Sequence, residues 1–173
     1  MRFFFIIIYL TLIAFSSSRA NEIKIVYIDT IKILNVSTAA KDVKKQLEVL
    51  NKKIVSDFQK IEKKLVEEEE KIYKQKNILS KEELEKQIKA FQKKVIKFKN
   101  DVKNDKNNLI IKKDNATKKI LNVLNPILAD YATKNSISII LQKNLIVIGK
   151  EDLDITKEIL EIVNKKIKKV KLN

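Results

Sequence analysis

The chain has 173 residues, with 37 lysines and arginines against 22 aspartates and glutamates, and a formal net charge of +15. It has no histidine, no cysteine and one glycine, which excludes His/Cys metal sites, Ser-His-Asp and Cys-His nucleophiles, and glycine-rich phosphate loops. We therefore expect no enzymatic activity, no metal and no cofactor, and the positive charge favours acidic or anionic partners.

Residues 1–20 have the pattern of a secretory signal peptide. A short basic start precedes an apolar run from Phe3 to Phe15, and the small residues Ser18 and Ala20 stand at the third-last and last positions of the segment. This run of about 13 residues is shorter than the ~20 that span a bilayer as a helix. We expect cleavage after Ala20 and export of the mature chain, with an uncleaved membrane anchor as the alternative.

The start of the mature chain predicts a buried strand followed by a short helix. The apolar run at 23–28 ends at Asp29, and residues 31–34 fit one helical turn. Ser37 or Thr38 is expected to cap the long helix that follows.

The next segment, residues 41–79, predicts an amphipathic helix about 58 Å long. Its glutamates at 67–70 are interpreted as a solvated face, because consecutive helical residues point in different directions. Apolar residues recur every three or four positions and form a seam of Val43, Leu47, Leu50, Ile54, Phe58, Ile61, Leu65 and Ile72.

The capping box Ser80-Lys81-Glu82-Glu83 predicts the turn of a helical hairpin. Pro126 is expected to kink the returning helix or to begin a separate segment. Two helices with matching stripes predict an antiparallel coiled-coil arm. The second seam is Leu84, Ile88, Phe91, Val95, Phe98, Val102, Leu109, Ala116, Ile120, Val123 and Ile127.

After residue 135 the pattern changes to short apolar runs. Runs at 137–141 and 145–148 flank Gln142-Lys143-Asn144 and predict a β-hairpin. Asp154 is expected to cap a last helix whose apolar positions extend to Val170, with lysines in the final turns that suit the helix dipole.

The predicted fold class is α+β, mostly α: a long helical-hairpin arm, residues 41–116, on a small β-rich head. The head comprises residues 21–40 and 117–173. One amphipathic helix cannot cover both faces of three very apolar strands, so we expect the head to associate with copies of itself.

Short motifs at the two ends of the mature chain occur in a distinctive order. The opening motifs are Lys24-Ile25-Val26-Tyr27-Ile28-Asp29, Lys32-Ile33-Leu34, Ser37, Lys41 and Leu47-Glu48. The closing motifs are Pro126-Ile127, Tyr131-Ala132-x-Lys134, Lys143-Asn144 and Asp154-Ile155-Thr156. Together they closely resemble the Skp/OmpH family of periplasmic chaperones.

The chain departs from that pattern at two turn positions. Ser136 stands where the family usually has glycine, and Gln142 where aspartate is common. Because asparagine tolerates the left-handed conformation better than most residues, Asn135 is expected to adopt it instead.

The resemblance implies a periplasmic homotrimer whose strands join in one central barrel, with the arms extending around a cavity. It also implies that the protein holds unfolded outer-membrane β-barrel proteins without ATP. The residues expected to hold the trimer together are Ile25, Ile139, Ile140, Leu141, Ile146 and Val147.

Client proteins are expected to contact apolar residues of the arm that lie off the seam, unless these merely widen the seam or pack at the base. These residues are Val49, Val55, Val66, Tyr73, Ile78, Ile96, Ile110 and Ile111. Lysines between them are expected to attract acidic clients. The lysines are Lys52, Lys60, Lys89, Lys93 and Lys97.

Two other functions remain open from the sequence. A structural coiled-coil protein could tether envelope components, or bind lipopolysaccharide or an anionic membrane surface through its lysines. Nucleic acid is not an expected partner, because we expect the chain to be exported and its mature part has no arginine.

Overall fold

The computed structural model describes residues 23–172, so the expected signal peptide and its cleavage site lie outside the described residues. The predicted fold class, a long helical hairpin on a small head, is confirmed. The elements in chain order are strand β1 (Ile25–Ile28), helices α1 (Thr30–Val36), α2 (Thr38–Gln75) and α3 (Lys81–Lys134), strand β2 (Ile139–Gln142) and helix α4 (Thr156–Lys166).

The sheet of the head has two strands, β1 and β2, which run parallel. Ile25 pairs with Ile139, and Tyr27 pairs with Leu141. Parallel neighbours require a crossover connection, and here α1, α2 and α3 together form it. The whole arm is therefore part of the single connection between β1 and β2, and it begins and ends beside the same sheet.

The predicted hairpin between residues 137 and 148 is wrong. After β2 the chain enters a 3₁₀ turn, Lys143–Leu145, closed by a hydrogen bond of 3.1 Å from the Ile146 N–H to the Lys143 carbonyl. Because β2 pairs with β1 instead of with its sequence neighbour, the second apolar run stays outside the sheet. We call residues 145–148 the apolar loop.

The head core lies between one face of the sheet and three helices. Each fully buried aliphatic side chain contributes about 1.5–3 kcal/mol relative to an exposed one, so this cluster holds the base of the arm firmly to the sheet. It consists of Val26, Ile28, Ile33, Leu124, Ile127, Ile155, Ile159 and Val163.

Both long helices begin at the serine that the sequence indicates. The Ser37 hydroxyl accepts a hydrogen bond from the Ala40 N–H at 3.3 Å, and the Ser80 hydroxyl accepts one from the Glu83 N–H at 3.2 Å. The Asn164 side chain accepts a further bond from the Thr38 N–H at 2.7 Å. These caps satisfy backbone donors that have no partner inside a helix.

The two predicted seams face each other along the arm. Their residues are buried or half-buried, except Ile61 and Ile88, which are 41% and 38% exposed. No side chain from residue 44 to residue 115 is fully buried. The arm is therefore a two-helix ribbon without an enclosed core, and its rigidity depends on half-exposed contacts.

Glu68 corrects the interpretation of the acidic run as a wholly solvated face. It is half-buried on the seam side, and the Lys94 ammonium of α3 donates to its two carboxylate oxygens at 2.7 and 2.8 Å. Glu67, Glu69 and Glu70 are exposed, as expected. One member of the run thus links the two helices.

The structure bears on two other local predictions. Pro126 begins no separate segment, because α3 continues through it. The residue with positive φ is Ser136, at 51°, whereas Asn135 has a φ of −107°. Asn135 instead donates its side-chain N–H to the Tyr131 carbonyl at 2.8 Å and caps α3.

The last helix ends earlier than its apolar period predicts. Helix α4 stops at Lys166, and Ile167 already has extended dihedrals. Val170 is buried nonetheless, because the chain after α4 packs against the base of the arm. Tertiary packing has overridden the helical period at this point.

Candidate functional site

The arm carries many exposed apolar side chains off its seam. All eight residues predicted for client contact are exposed, from Val55 at 44% to Ile78 at 81%. In the protomer these side chains thus lie outside the buried part of the seam. Tyr73 is shielded in part, because the Lys76 ammonium lies 4.4 Å from the centre of its ring.

These side chains do not form one compact patch. On α2, intervals of 11 and 7 residues separate Val55, Val66 and Tyr73. Because both intervals are close to a whole number of helical turns, the three side chains lie on nearly the same side of the helix. On α3, Ile96 and Ile110 lie several helical turns apart. The arrangement offers many small apolar contacts along the arm and no single pocket that would select one ligand.

The five predicted lysines are all exposed. Three of them have acidic neighbours on the same helix: Lys60 with Asp57 at 3.4 Å, Lys89 with Glu85, and Lys97 with Asp101 at 2.6 Å. Lys52 and Lys93 form no ion pair with any residue that the structure describes. The arm contains 22 lysines against 14 acidic residues, so a net charge of +8 surrounds the apolar side chains.

The head exposes a second apolar surface on the outer face of the sheet. Ile25, Ile139 and Leu141 are 42%, 44% and 39% exposed there. Ile140 differs, because it is half-buried and packs on the protomer's own core. The sheet thus separates the predicted trimer residues into an outer group and an inner one.

The apolar loop extends this surface. Ile146 is half-buried, whereas Val147 and Ile148 are 98% and 92% exposed. Leu145 and Ile148 belong to the same apolar run and are exposed as well, but neither was among the residues predicted for trimer contact. Leu145 is 75% exposed.

Tyr27 holds the end of this loop. Its hydroxyl donates to the Lys150 carbonyl at 3.0 Å, and a Cβ on Gly149 would lie 2.8 Å from its ring. A larger residue at position 149 would have to displace this ring, so the contact fixes where the loop leaves the sheet.

Motif residues from the two ends of the chain meet in a polar network beside the sheet. The Asp29 N–H donates to the Thr156 hydroxyl at 2.8 Å, and the Thr156 N–H donates to the Asp154 carboxylate at 3.0 Å. The same carboxylate accepts from the Thr156 hydroxyl and, at 2.7 Å, from the Lys143 ammonium. The network joins β1, α4 and the segment after β2.

Charges in this network are mutually stabilised. Burial alone would raise the pKa of Asp154, but hydrogen bonds from Lys143 and Thr156 outweigh it and lower the pKa below its ordinary value. The bond to Asp154 in turn raises the pKa of Lys143. The network therefore fixes the geometry of the segment that follows β2.

Two open grooves lie between α2 and α3. The larger, about 550 Å³, is at the base of the arm and includes Val43, Leu47, Leu109 and Ile120 in its lining. The smaller, about 260 Å³, lies farther out and is lined by charged as well as apolar residues. Of the residues predicted for client contact, Ile110 lines the larger of these two grooves.

Within residues 23–172, no group of three acidic, histidine or cysteine side chains is placed to hold a metal ion. No helix in the same range is long and apolar enough to cross a membrane. The described residues thus form a basic arm that exposes apolar side chains along its length.

Residues 24–163 match the family described as outer membrane protein, OmpH-like. The chain belongs to this family, which confirms the resemblance that the motifs indicate. A search of curated proteins found no match.

A crystal structure from Caulobacter crescentus CB15, described as a candidate outer membrane chaperone (OmpH-like), has a similar fold. The TM-score is 0.81 at 14% sequence identity, over 87% of this chain and 89% of the other. At this identity the similarity is evidence for a shared fold alone, and that fold includes both the arm and the head.

Proposed function

We propose that this chain is an ATP-independent holdase chaperone of the periplasm. It binds unfolded outer-membrane β-barrel proteins between the arms of an assembled trimer and prevents their aggregation. Membership of the OmpH-like family and the fold shared with a candidate outer membrane chaperone support this proposal.

One observation carries the proposal: off its seam the arm keeps eight large apolar side chains exposed, and it buries no side chain fully between residues 44 and 115. Each of these side chains offers a separate apolar contact, and together they extend along both helices of the arm. Because the side chains are spread along two helices, they suit a partner without fixed shape. An unfolded chain is such a partner.

The charge of the arm fits the same task. A net charge of +8 attracts acidic polypeptides over distances of about 10 Å at ordinary ionic strength. The apolar contacts then hold the chain by many weak interactions. Release needs no nucleotide, because a client that folds into the membrane removes its own apolar surface from the arm.

Trimer formation through the outer face of the sheet is part of the proposal. Ile25, Ile139 and Leu141 are apolar and exposed next to the apolar loop, and burying such surface favours association. Residues 21–40 and 117–173 then act as the trimerisation head, and residues 41–116 act as the client-binding arm. Ile146 and Val147 of the apolar loop would contact a second copy.

The experiment is suppression of aggregation. A β-barrel outer-membrane protein unfolded in urea is diluted into buffer with the mature chain, residues 21–173, without ATP, and light scattering is followed. The proposal predicts that equimolar trimer suppresses scattering for several unrelated barrel proteins. A protein that leaves all of them to aggregate, but binds one envelope component at fixed stoichiometry, would be a tether.

A further inference from the structure

The last residues of the described chain, 167–172, belong to no helix or strand and include a bend at Lys168; we call them the strap. It crosses the base of the arm after α4 ends, and it lies beyond residue 163, where the match to the OmpH-like family stops. Val170 is the residue most enclosed, at 4% exposure. Its side chain enters a recess between α2 and α3 formed by Ala39, Ala40, Val43, Ala116 and Ile120.

The recess admits the strap because it is lined by small side chains. Three alanines at the contact leave space between α2 and α3 into which an aliphatic side chain fits. Ile167 and Leu172 pack at the edges of the same cluster. The lysines between these apolar residues, Lys168 and Lys169, remain exposed.

Side chains of both arm helices hold the backbone of the strap. The Gln46 amide of α2 donates to the Val170 carbonyl at 2.8 Å, and the Lys119 ammonium of α3 donates to the Lys171 carbonyl at 3.0 Å. Hydrogen bonds to main-chain carbonyls do not depend on the side chains of the bound segment. Any extended polypeptide with an aliphatic residue at the right place could make the same contacts.

The recess is continuous with open space. Ala40, Val43 and Ile120 contact the strap and also line the groove of about 550 Å³ at the base of the arm. From there the groove extends to Leu109 and Ile110. A longer segment that displaced the strap would therefore have room to continue along the arm.

We propose that this cleft is a polypeptide-binding site for an extended segment with an aliphatic side chain, and that the strap occupies it until a client segment displaces it. The inference rests on the proposed function, because it assigns a binding site to the client. The strap then acts as an intramolecular ligand that competes with the client, because it belongs to the same chain as the site that it occupies. Client and strap exclude each other there.

Two full-length mature variants test the proposal. Val170→Asp places a carboxylate in the apolar recess and should release the strap, because an unpaired buried charge is unfavourable. Lys169→Gln changes the net charge by the same single unit at an exposed neighbour and should leave the strap bound. Circular dichroism and light scattering first establish that both variants fold and assemble as the wild type does.

The readout is the dissociation constant for a urea-unfolded outer-membrane β-barrel protein, measured by fluorescence anisotropy. If the strap leaves the cleft open in about one molecule in ten, its release tightens binding about tenfold. Val170→Asp should show this gain, and Lys169→Gln should stay close to the wild type. Equal or weaker binding by Val170→Asp would overturn the proposal.

A second measurement needs no variant. Hydrogen exchange of amides 167–172 in the wild-type protein should become faster when the unfolded barrel protein is bound, because the strap is displaced. Unchanged exchange with bound client would overturn the cleft proposal while leaving the holdase function intact. If the wild type neither binds the barrel protein nor suppresses its aggregation, the proposed function itself has failed.

Discussion

Phe58 of α2 and Phe98 of α3 meet edge to face across the arm, with ring centroids 5.7 Å apart and ring planes at 87°. Both rings are half-buried. Since the arm has no enclosed core between residues 44 and 115, such contacts across the seam determine how tightly the two helices stay together.

Replacing Phe98 by leucine should loosen the arm and leave the head unchanged. The aromatic pair contributes about 0.5–1.5 kcal/mol beyond its buried area, so amides of the arm around residues 58 and 98 should exchange several times faster. Ile96→Ala, at a neighbouring exposed position, is the control and should have little effect. Hydrogen exchange resolved along the chain is the measurement; equal acceleration in the head would contradict a locally stabilised arm.

Neighbouring residues of β2 should affect the protein in opposite ways. Ile140 packs on the protomer's own core, whereas Leu141 faces outward. Ile140→Lys should therefore destabilise the protomer, because it buries an unpaired charge. Leu141→Lys should leave the helical content intact and convert trimer into monomer.

Light scattering and circular dichroism on both variants distinguish these outcomes. If the wild type is monomeric at micromolar concentration, the outer face of the sheet is not an assembly surface. If Leu141→Lys remains trimeric, the copies associate through another part of the head.

The arm and the order of the elements follow from local patterns in the sequence. Ser37 and Ser80 identify both helix starts because a cap is a contact within one turn. The partner of β2 could not be inferred in the same way, since β1 lies more than a hundred residues earlier and an apolar run suits either neighbour. The strap was missed for a related reason: Val170 fits the helical period of α4, but it is buried against α2 and α3 after that helix has ended.

The head should be weakened by Asp154→Ala in a pH-dependent way. At neutral pH the lost hydrogen bonds from Thr156 cost about 1–3 kcal/mol. The folded-state pKa of Asp154 is lowered, so its contribution is present above the ordinary carboxyl pKa of about 3.9 and is lost as pH falls through the folded value. The pKa of Lys143 is raised, so its contribution is present below about 10.4 and is lost as pH rises through its folded value.

The difference in free energy of unfolding between wild type and Asp154→Ala should thus be greatest between about pH 5 and pH 9 and should shrink on either side. Urea unfolding at fixed protein concentration measures it. Asp152→Ala, in the same loop and exposed, is the control. A difference that is constant down to pH 2 would exclude the ionised carboxylate as its cause.

Capture of clients should depend on the charge of the arm. Glutamine at the five predicted arm lysines removes long-range attraction with little change in helix propensity. Association with an acidic unfolded barrel protein should slow about tenfold at low salt and lose most of its salt dependence. Stopped-flow fluorescence measures the rate, with a control variant that carries the same charge change on exposed head lysines: Lys32, Lys134, Lys150, Lys157 and Lys166.

Equal capture rates for the arm variant and the wild type at low salt would show that arm charge does not guide the client. Slowing by the same factor in the head control would assign the effect to total charge.

The residence time of the client tests the central claim, that exposed apolar side chains of the arm hold it. Serine at Val66, Tyr73, Ile96 and Ile110 removes apolar contact area and should speed dissociation about ten- to a hundredfold. Serine at Ile31 and Ile162, which are 57% and 37% exposed on the head, is the matched control and should leave the rate unchanged.

The measurement is the dissociation rate of a labelled, unfolded outer-membrane β-barrel protein chased with unlabelled client, on variants shown to fold and assemble normally. We expect the client to dissociate fast from the arm variant and to dissociate from the head control at the wild-type rate. Release from the arm variant at the wild-type rate would contradict the central claim, because the client would then be held elsewhere on the protein.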